Sequence, residues 1–199
     1  MKIVETPAFL RGVYSVAGFH APPLDPAAEA EYWLTPISAD TRKSAAKSRL
    51  REYNNWMLQY LTMHEALPGH YTQFEHANDV QPPERGLIRA LLSDGAYVEG
   101  WCEYGVKEMV DAGYAGDDPR FVLMVLKIRM RVVANAILDI RMQTTLTTYY
   151  IGFHQWIALR DAYEKDAGAR FDLKRFNDAV LNEGAVPVPL LRQLLPAAQ

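Results

Sequence analysis

Two histidines flank a glutamate and a turn signal in Met63-His64-Glu65-Ala66-Leu67-Pro68-Gly69-His70, near the end of a long helical pattern. Imidazole with carboxylate is the donor set of a hydrolytic zinc centre. The metallopeptidase helix that uses this chemistry spaces its histidines four apart, which leaves them about 40° apart around the axis. Here the spacing is six. Six residues of regular helix turn through about 240° net, so His64 and His70 would point to different faces. Sharing one ion therefore requires the chain between them to leave the helix. Pro68-Gly69 supplies the means, since proline removes a backbone donor and clashes with the preceding turn, and glycine tolerates almost any dihedral. A bulge or loop-out that absorbs two residues would restore the facing geometry.

A catalytic zinc takes three protein ligands and keeps a fourth position open for a water, whose pKa it lowers to about 7. The best third ligand is Glu99, in Tyr97-Val98-Glu99-Gly100-Trp101-Cys102-Glu103-Tyr104. Glu103, one turn later on the same helical face, could accept a hydrogen bond from a ligand imidazole. Glu65 would be the general base that takes a proton from the zinc-bound water and passes it to the leaving amine. A plainer reading stands beside this one. A His-Glu dipeptide is common in chains of this size, and the two imidazoles could simply be hydrogen-bonded in a core. Against that, His64, Glu65 and Glu99 sit amid apolar helical stripes, where charge is costly to bury without partners.

These residues must be positioned by a mainly helical scaffold. Residues 12–19 and 31–35 read as short strands, with Pro22-Pro23 and Asp25-Pro26 breaking the chain between them. Ser38 or Asp40 could cap a helix running through Leu50, Tyr53, Trp56, Met57, Tyr60 and Leu61 to His64, apolar residues recurring three and four apart. Further helices are expected over 84–92, from Ala96 to the glycines at 113 and 116, from Pro119 through Leu138, from Leu146 to about 167, and over 173–182 and 187–195. The helix after Pro119 is apolar over most of its circumference, which predicts a central position. The expected architecture is one domain over residues 1–199, with a strand and loop region to about residue 40 and helices from 41 onward.

Composition narrows the function. With 199 residues, 49% of them hydrophobic, and a net charge of -3, the chain can bury a core and offers no clustered basic surface for nucleic acid. No apolar run approaches the roughly 20 residues that span a bilayer, and Met1-Lys2-Ile3-Val4-Glu5 does not begin like a signal peptide. Nothing in the sequence fixes a compartment. Cys102 is the single cysteine, which excludes an internal disulfide and a thiolate zinc cluster; beside Trp101 it reads as a small buried apolar side chain.

Five segments taken in order, His-Glu-Ala-Leu-Pro-Gly-His, Tyr-Val-Glu-Gly-Trp, Thr-Tyr-Tyr-Ile-Gly, Phe-Asp-Leu-Lys-Arg-Phe-Asn-Asp and Gly-Ala-Val-Pro-Val-Pro-Leu-Leu, resemble the domain-of-unknown-function family eight-eight-five over nearly the whole chain. That family is similar to gluzincin metallopeptidases. The resemblance implies a helical zincin-like fold with a small amino-terminal sheet. It also implies Zn²⁺ held by His64, His70 and Glu99, and Glu65 as the base acting on a peptide or amide substrate. Tyr149 matches a family tyrosine and could donate to the oxyanion of a tetrahedral intermediate, or be a core tyrosine with its hydroxyl satisfied. Arg160 could grip a substrate carboxylate bidentately, or form an exposed ion pair. His154 and His76 read as surface or satisfied core histidines, and His20 as structural.

The chain also departs from the family pattern. Members are much longer, with an amino-terminal helical region that forms the opposing wall of the cleft, and they carry a longer connection where only Met142 to Thr148 intervenes here. Asn177 stands where a histidine is common. The expectation is therefore a zinc-dependent peptidase-like hydrolase whose cleft is completed by a further region or a second chain. The alternative is a non-catalytic metal-binding or helical interaction module that retains the fold.

Overall fold

The computed structural model describes residues 1–20, 29–114, 116, 118–142 and 147–195. Strands β1 (Lys2–Glu5), β2 (Ala17–His20) and β3 (Glu31–Leu34) form a sheet of order β1-β3-β2. β1 runs parallel and β2 antiparallel to β3, with Ile3 and Phe19 both in register with Tyr32. β2 is thus an edge strand. Nine helices follow among the described residues: α1 (Lys43–Glu52), α2 (Asn55–Glu65), α3 (His70–Asn78), α4 (Pro83–Leu91), α5 (Gly95–Asp111), α6 (Pro119–Met142), α7 (Thr147–Ala167), α8 (Leu173–Asn182) and α9 (Val188–Leu194). The mainly helical architecture with a small amino-terminal sheet is as expected. The proline breaks at 22–26 and residues 143–146 of the short connection lie outside the described residues.

Several local expectations are corrected. The strand expected over 12–19 begins only at Ala17, and β1 was not anticipated. Residues 8–10 form a 3-10 turn that carries Tyr14 back over Gly18 and edge-on to Trp33, with ring centroids 5.3 Å apart. A Cβ at Gly18 would lie 2.3 Å from the Tyr14 ring, so the fold-back depends on glycine there. The long helix expected to reach His64 without a break is two helices, because the Asn54 side chain accepts from the N–H groups of Trp56 and Met57 and starts a new one. Neither Ser38 nor Asp40 caps α1; its first flanking residue is Arg42, with no side-chain cap.

A further correction concerns the core. α6 buries one stripe, Phe121, Met124, Val125 and Ile128, against Met57, Tyr60 and Met63 of α2. Its other face is apolar and open, with Leu123 63%, Met130 74% and Ile140 75% exposed. The central helix is instead α5, which packs Tyr97, Trp101 and Tyr104 against Trp156 of α7 and Phe176 of α8. The approach of α5 to α7 needs glycine on both sides. A Cβ on Gly100 would lie 2.4 Å from the backbone of Gly152, and one on Gly152 would lie 2.1 Å from the Ala96 carbonyl oxygen.

Candidate metal centre

α2 ends at Glu65, four residues turn outside helical geometry, and α3 begins at His70. The interruption anticipated at Pro68-Gly69 is therefore present as a full break and restart. Gly69 is required by space: a Cβ there would lie 1.8 Å from the His64 carbonyl oxygen and 2.4 Å from that of Met63. α5 holds the turn from outside. Trp101 Nε1 donates to the Pro68 carbonyl at 2.9 Å, and Gly105 leaves room for the proline ring. The result brings the two imidazoles together at 90°, with ring centroids 5.1 Å apart.

Glu99 on α5 faces both. Its Oε2 lies 3.4 Å from His64 Nε2 and 3.7 Å from His70 Nε2. That oxygen is buried and makes no hydrogen bond among the described residues. Glu103, one turn on, approaches the other nitrogen of His64, with Oε1 3.6 Å from Nδ1, and accepts a hydrogen bond of 2.5 Å from the Tyr60 hydroxyl. His70 Nδ1 instead meets Cys102 Sγ at 3.2 Å. Phe19 of β2 stacks on His70, and Tyr60 and Tyr149 both stack on His64.

The electrostatics follow from burial and this crowding of carboxylates. Burial alone would depress the His64 pKa, but Glu99, Glu65 and Glu103 together raise it to about 9. His70 goes the other way, to about 4, because burial and the His64 charge both oppose protonation. Glu99 is lowered: burial opposes its charge, and the two histidines outweigh that. Glu65 is raised, chiefly by burial. Burial and the Glu99 charge also push the Tyr149 phenol up.

Two cavities, of about 390 and 350 Å³, open on either side and share His64, Glu65 and Tyr149 in their walls. The larger runs between α2 and α6 past Ile128 and Arg131. The smaller runs along β2 past Gly18, Phe19 and Phe74. Of the residues singled out in the sequence, His64, His70, Glu99, Glu103, Glu65 and Tyr149 are thus gathered into one site. Arg160 is not. It lines neither cavity, pairs with Asp161 and Glu164 at 3.2 and 2.8 Å on its own helix, and lies over the Phe171 ring. His20 stacks on Trp33, His76 meets the Asn182 side chain, and His154 packs against Tyr150 and Phe153. Asn177 accepts from the Tyr104 hydroxyl, away from the imidazoles. Tyr60 and the Cys102 contact were not read from the sequence. Their signal is positional: Tyr60 lies one turn before His64 on α2, and Cys102 one turn after Glu99 on α5.

Fold and site together describe a mainly helical protein with two histidines and three glutamates gathered where α2, α3 and α5 meet. The chain belongs to the family of bacterial proteins of unknown function DUF885, whose model matches residues 1–148 and 143–195. Among solved structures it is similar to a putative lipoprotein of unknown function from Shewanella oneidensis, with 32% identity and a TM-score of 0.83 over 98% of this chain and 40% of that one. It shares its fold with a putative lipoprotein from Colwellia psychrerythraea, at 21% identity and a TM-score of 0.74, covering 97% of this chain and 37% of that one. The chain therefore spans less than half the length of these relatives. No curated protein matches it.

Proposed function

We propose that the protein is a zinc-dependent, peptidase-like hydrolase of the gluzincin-like helical type, acting on a peptide or amide bond. One observation carries the reading: a single Glu99 oxygen, buried and without a hydrogen bond, lies 3.4 and 3.7 Å from the Nε2 atoms of His64 and His70. Ligand atoms about 2.0 to 2.2 Å from a common tetrahedral ion lie about 3.3 to 3.6 Å apart, so this donor set fits zinc held by His64, His70 and Glu99. Bound there, zinc would supply Lewis acidity to a water and to the scissile carbonyl.

The remaining work falls to the chain itself. Glu65 lines both cavities and takes the proton of the attacking water, then returns it to the leaving amine; its raised pKa suits a group that must hold that proton in between. Tyr149, stacked on His64, donates to the oxyanion. The open edge of β2 beside the smaller cavity aligns an extended substrate by backbone pairing. Glu103, itself held by Tyr60 and 3.6 Å from a His64 Nδ1 that has no hydrogen-bond partner among the described residues, would accept from that nitrogen when His64 Nε2 is a ligand.

Metal analysis after zinc loading tests the reading directly. About one equivalent is expected in the wild type, with clear loss in His70→Ala. Less than about a tenth of an equivalent, with His70→Ala indistinguishable from wild type, would sink it. Glu65→Gln should keep the metal and lower hydrolysis of a peptide library by about 10² to 10⁴.

A second reading is favoured by two other observations, the open apolar face of α6 and the 40% span of the longer relative. In this reading the chain is a metal-binding or helical interaction module without a complete cleft, and a further region or second chain covers α6. It expects bound zinc with no hydrolysis by this chain. Hydrolysis abolished by Glu65→Gln rejects it.

A further inference from the structure

The two imidazoles at the candidate centre are backed by different chemistry. α5 turns three residues of one face toward them, Glu99, Cys102 and Glu103, spaced three and four apart. The Nε2 atoms of both rings face Glu99. The Nδ1 atoms diverge: that of His64 faces the Glu103 carboxylate at 3.6 Å, whereas that of His70 meets the Cys102 thiol at 3.2 Å. Cys102 and Glu103 are both buried. A carboxylate can only accept a hydrogen bond, so its imidazole partner must carry the proton on the facing nitrogen. A thiol can donate its S–H or accept at sulfur, so its imidazole partner can be in either tautomer.

We propose that Cys102 is a positioning residue for His70, a two-way hydrogen-bond partner that holds the ring in one place through a change of tautomer. With the centre empty, the S–H donates to Nδ1, and the imidazole proton sits on Nε2, directed toward the unpartnered Glu99 oxygen. When Nε2 is engaged as a ligand, the single imidazole proton moves to Nδ1 and is donated to sulfur, while the thiol keeps its own proton and turns about the Cβ–Sγ bond. One proton remains on the imidazole and one on the thiol throughout, so the His70–Cys102 pair stays neutral in both states. A carboxylate at position 102 would favour the ligand-ready tautomer alone. An alanine would favour neither, and would leave Nδ1 without this partner in the core.

The proposal rests on the reading of His70 Nε2 as a metal ligand for its second state only; the first state is a property of the metal-free protein. The experiment is ¹⁵N-detected histidine NMR on the whole chain, metal-free and with zinc added, for wild type, Cys102→Ser and Cys102→Ala. The wild type should show His70 as the Nε2–H tautomer without zinc and as Nδ1–H with it. Cys102→Ser keeps a two-way partner and should reproduce both states. Cys102→Ala should show mixed tautomers without zinc and bind zinc about 10-fold more weakly by chelator competition. An Nδ1–H tautomer in the metal-free wild type, or a Cys102→Ala protein matching wild type in both tautomer and affinity, overturns the proposal. So does a strong near-ultraviolet sulfur-to-metal band on cobalt substitution, which would make Cys102 a ligand. If His70→Ala binds zinc as wild type does, the metal reading fails, while the metal-free tautomer still decides what Cys102 does.

Discussion

α5 and α6 are both apolar helices that reach the candidate centre, and they end up in opposite environments. α5, with charged residues set into its apolar face, is the helix around which the molecule packs; α6, apolar over most of its circumference, leaves Leu123, Met130 and Ile140 in solvent. The difference lies in what each can approach. Gly100 lets α5 lie against the backbone of α7, and Gly105 makes room for Pro68, so α5 is enclosed on several sides. α6 packs chiefly against α2 and α7, and its opposite face stays exposed among the described residues. Hydrophobicity sets how much a helix gains by burial; complementary surfaces decide whether it is buried.

The comparison breaks most severely at the contact that makes α5 central. Gly100→Val places side-chain atoms inside the backbone of Gly152, and the expected loss is about 3 kcal/mol or more, measured by urea unfolding. A stability within about 0.5 kcal/mol of wild type would mean that α5 does not depend on this approach. Glu103→Leu should come next. It leaves the buried Tyr60 hydroxyl without its acceptor, at a cost of about 1 to 3 kcal/mol, and should weaken zinc binding through His64.

A gentler probe is pH, applied to the metal-free protein. His64 holds its proton up to about 9 when folded, against 6.5 when unfolded. Its contribution is therefore complete below about pH 6.5 and lost as pH rises through about 9. His70 resists protonation down to about 4, so its contribution is complete above about pH 6.5 and lost as pH falls through about 4. Stability should peak near pH 6.5, and a His64→Gln, His70→Gln double variant should flatten the curve between 4 and 9. The smallest effect belongs to the open helix. Met130→Lys and Ile140→Lys should each change stability by no more than about 0.5 kcal/mol, checked by the same unfolding assay. A loss of 2 kcal/mol at either would show that this face is covered in solution.

The site was more legible than the core, and for a physical reason. His64, His70 and Glu99 are rare side chains in apolar settings, so chemistry marks them, and Pro68-Gly69 is punctuation whose effect on a helix follows from sterics. Asn54 was harder to read, because the apolar spacing of Tyr53, Trp56 and Met57 continues across the break while a side-chain cap resets the helix beneath it. The centrality of α5 and the exposure of α6 are relations between distant segments, which periodicity along one helix cannot carry. Tyr60 and Cys102 were hidden by residue type: one is an ordinary aromatic and the other an ordinary small apolar side chain until a histidine is placed beside each.

The four-residue turn between α2 and α3 has a further consequence. With Gly69 wedged against the carbonyls of Met63 and His64, and Pro68 fastened by Trp101, the chain itself holds the two imidazoles side by side. On the proposed metal-binding reading, such a centre is a rigid chelator. Capture of an ion should cost little conformational entropy, proceed without a folding transition, and leave the far-ultraviolet circular dichroism unchanged. A longer insertion in that turn would cost more than the residues it adds, because it would turn a preassembled pair of imidazoles into two independent ones.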